Sequence, residues 1–319
     1  MKRIPRRWIS IGASTIGILA GIVVFASHHV SGGAMTSADS TAAHPKLYGT
    51  PVVLDGIDSA FRIAIDPAGD LYVVTGQGQV LKDHGATGKP EPVTLPGLTP
   101  PQGMAGMLSA ASIAFDKDGN IYFNNLDSMK ILRVAPGADN PVELPFTGLR
   151  APVTVSVDAA GNVWVPDMNR VLKLAPGAAA AAEVAPGAFS HPVGAVADSA
   201  GNLYVTNWGL DSAAFKLTPG ATTPVKLNLP GATEPMGITV DKADNVYVAD
   251  CKANKVFKLA AGSTTAVELP LPGIYAPNGI AVDGDGNVYV TGGTTPPITG
   301  AGGAVETKET GHVIKLPFE

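Results

Sequence analysis

The chain has 319 residues, a length that by itself would allow two domains. Charged residues make up only 15% and the formal net charge is -5, so there is no basic surplus to attract nucleic acid. The 38 glycines and 27 prolines indicate many turns. Composition therefore disfavours a nucleic-acid-binding protein and favours a turn-rich β fold.

The first 27 residues differ in kind from the rest. Four basic residues up to Arg7 precede an uncharged run from Trp8 to Ala26, the layout of an export signal or a signal anchor. The run is just long enough to span a membrane as a helix. The short segments that end at Ala26 and at Ala34 carry small residues where a signal peptidase could cut. We expect an exported protein, which is either anchored on the outer side of the cytoplasmic membrane or secreted after cleavage. Residues 28–49 then form a flexible tether rich in Ser, Gly, Ala and Thr.

One unit of four short apolar runs recurs along the rest of the chain. In its fifth copy, from Met236 to Pro270, the runs are MGITV, NVYVA, KVFKL and AVELP, each closed by turn residues. Alternating β-branched and aromatic residues between Gly, Asn, Asp and Pro predict a four-stranded antiparallel meander. One such sheet cannot bury its faces alone, so the repeats must pack on one another.

An aspartate ends the first run of every copy, and a large aromatic residue follows six positions later. The aspartates recur at intervals of 40 to 50 residues, and five of the seven tyrosines occupy the aromatic position. Six copies of four strands predict an all-β fold, a six-bladed β-propeller over residues 50–319, with the aromatic residues packed between blades. The pairs are Asp66 and Tyr72, Asp116 and Tyr122, Asp158 and Trp164, Asp198 and Tyr204, Asp241 and Tyr247, and Asp283 and Tyr289.

The two ends of the repeat array complement each other. Each of the first five copies finishes with an outer strand, whereas the sixth stops at VIKLPFE without one. A matching run, PVVLD, stands before the first copy at Pro51 to Asp55. Because an unpaired sheet edge promotes aggregation, we expect Pro51 to Asp55 to close the ring as the outer strand of the sixth blade.

Two segments, DKDGN from Asp116 and DGDGN from Asp283, resemble the start of a calcium loop. Neither has the glutamate that such a loop needs at its twelfth position. Their shared Asp, Gly and Asn are typical of hairpin turns, so we prefer turns to metal sites. The six repeated aspartates could instead line the channel and bind a cation, but each also serves its own turn. We therefore predict no metal and no cofactor.

Histidine and cysteine offer little catalytic chemistry in this sequence. Of the six histidines, only His191 falls in a connection before a blade, where propellers usually place ligands. Cys251 falls in a turn position that other blades fill with Asn125 or Met168, and a tolerated small residue explains it better than a reactive thiol. The H-E-x-x-H, G-x-S-x-G and P-loop motifs do not occur, and we assign no catalytic residue.

The unit GIAVDGDGNVYV, together with KVFKLAAGSTTAVELPLPGI, resembles the NHL repeat. It is most similar to the six-bladed extracellular sensor domain of PknD-type bacterial receptor serine/threonine kinases, and the similarity covers about residues 50–319. The kinase motifs themselves, a Gly-rich loop, V-A-I-K and H-R-D, do not occur in this sequence. The resemblance implies an extracytoplasmic, non-catalytic propeller that binds a ligand as a sensor or scaffold.

Two enzyme families with similar blades supply the alternative function. Segments such as GNVWV resemble streptogramin B lyases, and the six-bladed ring resembles peptidyl-amidoglycolate lyases. The first family uses a His pair with an acid and the second a zinc ion held by several His. With His191 alone in a suitable connection, neither set of residues can be carried over to this chain.

The binding face is predicted from the places where the repeats depart from their pattern. Two connections are longer than their equivalents in the other repeats, Gly97 to Ala111 and Gly292 to Gly311. They belong to neighbouring blades of the closed ring and should lie at the same end of it. Plain Gly-Pro-Thr loops are the alternative interpretation of both insertions. A mixed polar and aromatic surface at this end would suit a peptide, a glycan or an envelope protein. The candidate residues are Met104, Met107, Asn124, Asn125, Arg150, Asp167, His191, Asn207, Trp208, Glu234, Asp250 and Tyr275.

Overall fold

The computed structural model of the chain describes residues 48–98, 112–294 and 311–319. Within these residues, 24 strands form six separate sheets of four antiparallel strands. The protein is an all-β, six-bladed propeller, as predicted. The predicted export segment and most of the tether lie outside the described residues. In the part of the chain that the structure describes, no helix has the length and hydrophobicity of a membrane span.

Each blade runs from an inner strand at the central channel to an outer strand, and β1 (Val52–Leu54) precedes the first blade. The first three blades are β2 (Ala60–Ile65), β3 (Leu71–Thr75), β4 (Val80–Asp83) and β5 (Glu91–Val93); β6 (Ile113–Phe115), β7 (Ile121–Asn125), β8 (Lys130–Val134) and β9 (Val142–Glu143); and β10 (Ser156–Val157), β11 (Val163–Asp167), β12 (Arg170–Leu174) and β13 (Ala182–Val184). A single 3₁₀ turn, His84–Ala86, lies between β4 and β5.

The fourth, fifth and sixth blades repeat the same order. They are β14 (Pro192–Ala197), β15 (Leu203–Asn207), β16 (Ala213–Leu217) and β17 (Val225–Lys226); β18 (Pro235–Val240), β19 (Val246–Asp250), β20 (Lys255–Leu259) and β21 (Val267–Glu268); and β22 (Ile280–Val282), β23 (Val288–Gly292) and β24 (His312–Leu316). The last three strands come from the end of the chain and need a fourth.

The N-terminal strand β1 completes the sixth blade. It pairs antiparallel with β24, with Val52 opposite Lys315 and Leu54 opposite Val313. The sheet order is therefore β22, β23, β24, β1. This confirms the predicted closure of the ring by Pro51 to Asp55, which covers an edge that would otherwise be open.

Residues next to β1 add contacts to the closure. Tyr48 forms a backbone bridge with Phe318, and their rings meet edge to face with centroids 5.4 Å apart. The Tyr48 hydroxyl also accepts a hydrogen bond from the Lys258 ammonium group over 3.2 Å. The first described residue therefore contacts the fifth blade as well as the end of the chain.

The repeated aromatic residue packs between blades, as predicted. Tyr247 of the fifth blade is 1% exposed and lies in one apolar cluster with Val288 and Val290 of the sixth blade. Its hydroxyl donates a hydrogen bond to Asp241 Oδ2 over 2.9 Å. The aromatic residues of the second, third, fourth and sixth blades bond their own aspartates in the same way: Tyr122 to Asp116, Trp164 to Asp158, Tyr204 to Asp198 and Tyr289 to Asp283.

The repeated aspartates hold the hairpins between first and second strands. Asp241 Oδ1 accepts the backbone N–H groups of Ala243 and Asn245, and its Oδ2 also accepts the Asn245 side-chain amide. These hydrogen bonds are the ones expected if the aspartate stabilises a hairpin turn, as we predicted in preference to a metal site. In the second blade, burial alone would raise the pKa of Asp116, but hydrogen bonds from Asn120 and Tyr122 lower it below its ordinary value.

The outer strands are shorter than the five-residue runs that the sequence suggested. In the second blade the strand consists of Val142 and Glu143 opposite β8, followed by one more bond from the Leu144 N–H to the Ile131 carbonyl oxygen, although the run PVELP extends from Pro141 to Pro145. Proline has no N–H group to donate to a neighbouring strand, so a proline at each end limits the paired segment. The blades therefore end in short edges.

Candidate functional site

Two sets of loops meet at one end of the ring, which we call the loop face. They are the hairpins between second and third strands and the connections that lead into each inner strand. Asp167, the last residue of β11, shows that they meet, since its Oδ1 accepts the N–H groups of Arg150 (2.8 Å) and Ala151 (2.7 Å) in the preceding connection. The ten described candidate residues lie on this face, whereas Met104 and Met107 lie outside the described residues.

The two candidate aspartates hold these loops together. Asp167 and Asp250 are both fully buried. Besides its backbone partners, Asp167 Oδ2 accepts hydrogen bonds from Arg170 Nε (3.0 Å) and Nη2 (2.8 Å). Asp250 accepts the N–H groups of Thr233, Glu234 and Ala253. Hydrogen bonds to ionised carboxylates are the stronger class, so these acids fix the shape of the face.

The candidate amides of the second blade have the same role. Asn124 is fully buried, accepts the Ser112 N–H over 2.6 Å and donates to the Pro152 carbonyl oxygen over 2.8 Å. Asn125 donates to the Gly97 carbonyl oxygen and accepts the Ser128 N–H. Asn124 therefore connects the second blade to the third, and Asn125 positions the start of an insertion.

Three of the remaining candidates form one group closer to solvent. Trp208 Nε1 donates to Glu234 Oε1 over 2.9 Å, and the backbone N–H of Trp208 donates to the His191 carbonyl oxygen over 2.9 Å. The backbone bond joins the end of β15 to the connection before the fourth blade. The side-chain bond joins the fourth blade to the fifth. The His191 side chain itself is exposed.

Arg150 and Tyr275 lie apart from this group. Arg150 is exposed in the connection before the third blade, and Tyr275 pairs through its backbone with Gly293. Among the described residues, no hydrogen bond or ion pair joins either of them to His191, Trp208 or Glu234. The structure therefore brings together some of the predicted residues but does not gather all of them into one site.

A cavity of about 510 Å³, which we call the blade-four pocket, opens on the loop face. Its walls are the connection at residues 187–190, the hairpin at residues 210–213, and Asn207, Phe215 and Lys226. Phe189 and Phe215 give it apolar walls, and Asp211 and Lys226 give it one charge of each sign. Leu210 stands at its edge fully exposed, at 106% of the reference area.

Asn207, in the wall of the blade-four pocket, carries a buried polar atom that no described residue satisfies. Its side chain is 3% exposed, and its amide nitrogen donates to Ser190 Oγ over a long 3.4 Å. Its Oδ1 is buried and has no hydrogen-bond partner. Exchanging the amide oxygen and nitrogen would leave the nitrogen unsatisfied instead, so one half of the amide remains available in either orientation. Such groups are rare in folded proteins and need an explanation.

Cys251 lies on the loop face, and its thiol is held in the neutral form. Burial, followed by the negative charges of Glu234 and Asp250, raises the pKa of Cys251 to about 11. A thiol reacts as its thiolate, so this environment favours the prediction of a tolerated small residue over a reactive one. Among the described residues, no group of three or more His, Cys, Asp or Glu side chains is placed to hold a metal ion.

The fold is similar to that of known propellers. A family model described as a beta-propeller repeat matches residues 272–296. The chain carries a propeller repeat. Comparison with curated proteins finds no match. Among solved structures, a streptogramin B lyase shares 17% identity with a TM-score of 0.57, covering 85% of this chain and 98% of the lyase.

Two further solved structures belong to sugar enzymes. A gluconolactonase from Xanthomonas campestris has 16% identity and a TM-score of 0.61, covering 84% of this chain and 89% of its own. The PQQ-bound aldose sugar dehydrogenase from Streptomyces coelicolor has 16% identity and a TM-score of 0.58, covering 86% of this chain and 99% of its own. At such identities the similarity shows the fold alone, because one fold carries many functions.

Sequence analysis missed most of the pocket. It named Asn207 but not Phe189, Leu210 or Phe215, because the pattern of strands does not reveal which apolar residues leave a gap between them. The one available signal was Leu210, an apolar residue between Gly209 and Asp211 in a hairpin that is otherwise polar.

Proposed function

We propose that this chain is an exported, non-catalytic binding propeller of the cell envelope, and that it binds a peptide segment in the blade-four pocket. The observation that carries the proposal is Asn207 in the pocket wall, whose buried Oδ1 has no partner among the described residues. A small movement of the pocket loops would expose this oxygen, and a backbone N–H group of a bound peptide would then supply the missing donor.

The rest of the pocket supports a peptide with an apolar side chain. Leu210 is fully exposed, and Phe189 and Phe215 line the pocket beside it. Covering Leu210 removes apolar surface from water, which favours binding. Asp211 and Lys226 would then orient the charged groups of the peptide.

Selection of peptides from a random display library on the immobilised full chain tests the proposal. Dissociation constants are then measured for Asn207→Leu and Leu210→Ser by fluorescence polarisation. We expect each variant to bind the selected peptides about tenfold more weakly or worse, since a buried hydrogen bond or a covered leucine is lost. Val267→Ser, which changes an exposed apolar residue on an outer strand, serves as the matched control. Selected peptides that bind all variants equally would contradict the proposal.

A propeller lyase is the second candidate, and the solved streptogramin B lyase with the same fold is the observation in its favour. Such an enzyme would need a catalytic group on the loop face, where His191 is exposed. Incubation with a streptogramin B antibiotic, together with zinc analysis of the purified protein, separates the two functions. Ring opening that His191→Ala abolishes would replace the binding proposal with the lyase.

A further inference from the structure

Within the part of the chain that the structure describes, the central channel contains one charged side chain. A cavity of about 300 Å³ runs between the inner strands of all six blades. Its walls are mostly aliphatic, with the hydroxyl groups of Ser112, Thr154 and Ser156 among them. Among the described residues that line it, Arg62 alone carries a charge. The volume is at the low end of the range for ligand pockets, roughly 300 to 1,000 Å³.

Arg62 breaks the repeat at a position that the other blades keep small. The residues four positions before the repeated aspartate are Arg62, Ser112, Thr154, Gly194, Gly237 and Gly279. Space is short there, since a Cβ atom on Gly237 would overlap with the carbonyl oxygen of Asn278 in the next blade. The strand register also shifts between Ala60 and Arg62. A long cation thus replaces a small residue at an irregular point of β2.

The guanidinium group of Arg62 is poorly compensated. Its Nη1 donates to Asn278 Oδ1 over 3.1 Å, and the central guanidinium carbon, Cζ, lies 4.9 Å from the centre of the Phe61 ring. Its Nε is buried and has no hydrogen-bond partner. Among the described residues, no carboxylate forms an ion pair with Arg62. Burial lowers the pKa of Arg62 to about 10, because the charged form loses water and gains no counter-ion.

We propose that Arg62 and the cavity around it bind a small oxyanion, a carboxylate or a phosphate group, taken up from solution. A guanidinium group has five N–H donors in a planar fork that fits two oxygens of such a group. The bound anion supplies the missing charge and accepts hydrogen bonds from the guanidinium nitrogens that remain accessible, whereas Nε itself is buried beneath its neighbours. The Ser112 hydroxyl accepts the Val155 N–H and keeps its own proton for an anion oxygen, whereas the Thr154 and Ser156 hydroxyls already donate to the carbonyl oxygens of Val193 and Ala195. The site is separate from the blade-four pocket and does not depend on the function proposed for it.

Thermal unfolding and calorimetry of the full chain test the site with two probes, inorganic phosphate and acetate, against chloride at equal ionic strength. We expect a saturable rise in Tm with one or both probes and none with chloride, because an anion that binds only the folded state stabilises it. Arg62→Met should remove this rise, and Arg62→Lys should weaken binding about tenfold through loss of the two-point contact. Comparison of the two probes identifies the preferred group.

The Tm of Arg62→Met in anion-free buffer, compared with that of the wild type, shows whether Arg62 serves to bind an anion or to stabilise the fold. Replacing an uncompensated buried charge with a similar apolar side chain is often neutral or stabilising, so Arg62→Met should keep or raise the Tm in anion-free buffer. Lys252→Met, which removes an exposed cation, is the control and should retain the anion-dependent rise.

Three results would overturn the proposal. The first is a wild-type protein without saturable binding, and the second is an Arg62→Met variant whose Tm falls equally with and without anion. If Arg62→Met does not fold, Arg62→Lys decides by its affinity alone. The third is an Arg62→Lys variant that binds both probes as tightly as the wild type, which would show that the guanidinium group makes no two-point contact with the anion.

Discussion

The hydroxyl group of Thr291 donates a hydrogen bond over 3.0 Å to the carbonyl oxygen of Phe61, which stands 230 residues earlier in the chain. The same oxygen of Thr291 accepts the buried N–H group of Gly279 over 2.7 Å. One side chain thus joins the inner strand of the first blade to the sixth blade. Thr206 makes the equivalent bond from the fourth blade to Met236 of the fifth.

Replacing Thr291 with valine should loosen this junction. The variant keeps the shape of the side chain but leaves the Gly279 N–H and the Phe61 carbonyl group without their partner. We expect the free energy of unfolding to fall by about 1 to 3 kcal/mol, the usual cost of unpaired buried groups. Urea unfolding measures it, and Thr222→Val at an exposed position is the matched control. Equal stability of the two variants would show that the bond contributes nothing.

Tyr247 should stabilise the ring mainly through its volume. It is 1% exposed between two blades, so Tyr247→Ala should lower the free energy of unfolding by about 3 to 5 kcal/mol. Tyr247→Phe keeps the ring and loses the hydroxyl with its bond to Asp241 and its 3.5 Å contact with the Tyr48 hydroxyl, which should cost about 1 kcal/mol. Chemical denaturation of both variants separates packing from hydrogen bonding. A phenylalanine variant as unstable as the alanine variant would contradict this division.

Removal of β1 should leave the propeller open. A protein that starts at Ser59 lacks the strand that pairs with β24, and the Leu54 side chain, which is buried, goes with it. We expect aggregation and the loss of a cooperative thermal transition, because the edge of β24 becomes free to pair with other chains. Calorimetry and light scattering measure both effects. A soluble truncated protein that melts cooperatively would show that the ring does not need this strand.

Cys251 should react slowly with iodoacetamide near neutral pH. With a pKa raised to about 11, the folded protein holds little thiolate at pH 8, and the rate should keep rising up to that pKa. An ordinary thiol has a pKa of about 8.5, so its thiolate fraction at pH 8 is about 200-fold larger. Glu234→Gln removes one of the charges that raise the pKa and should speed the reaction. Mass spectrometry gives the rates, and urea-unfolded protein is the control; equal rates for folded and unfolded protein would contradict the shift.

The repeat made most of the fold predictable. Six aspartate and aromatic pairs gave the number of blades, and the missing strand after Leu316 showed where Pro51 to Asp55 belongs, because each is a pattern of spacing along the chain. Polar residues such as Asp167 and Asn124 could be placed at the loop face, but their burial could not be foreseen. A carboxylate that binds loop backbone and one that faces solvent look the same in sequence.

The unsatisfied groups were harder to predict than the fold. Whether Asn207 finds a partner depends on the distance between two loops, which no periodicity specifies. Arg62 did leave a signal, since its equivalents in the other blades are small, but a broken repeat alone does not show that the side chain lacks a counter-ion. That conclusion needs the positions of every neighbouring acid.

The pairing of β1 with β24 also constrains when the molecule can fold. β1 is the first described strand to leave the ribosome and β24 is the last, so the sixth blade cannot be completed before β24 has been synthesised. Until then β1 has no partner, while the blades between can form from local hairpins. Contacts between distant segments form slowly, and the late step is exposed to misassembly with other chains. The ring therefore closes only after both β1 and β24 have been made. A factor that holds β1 until then would raise the fraction of molecules that close correctly.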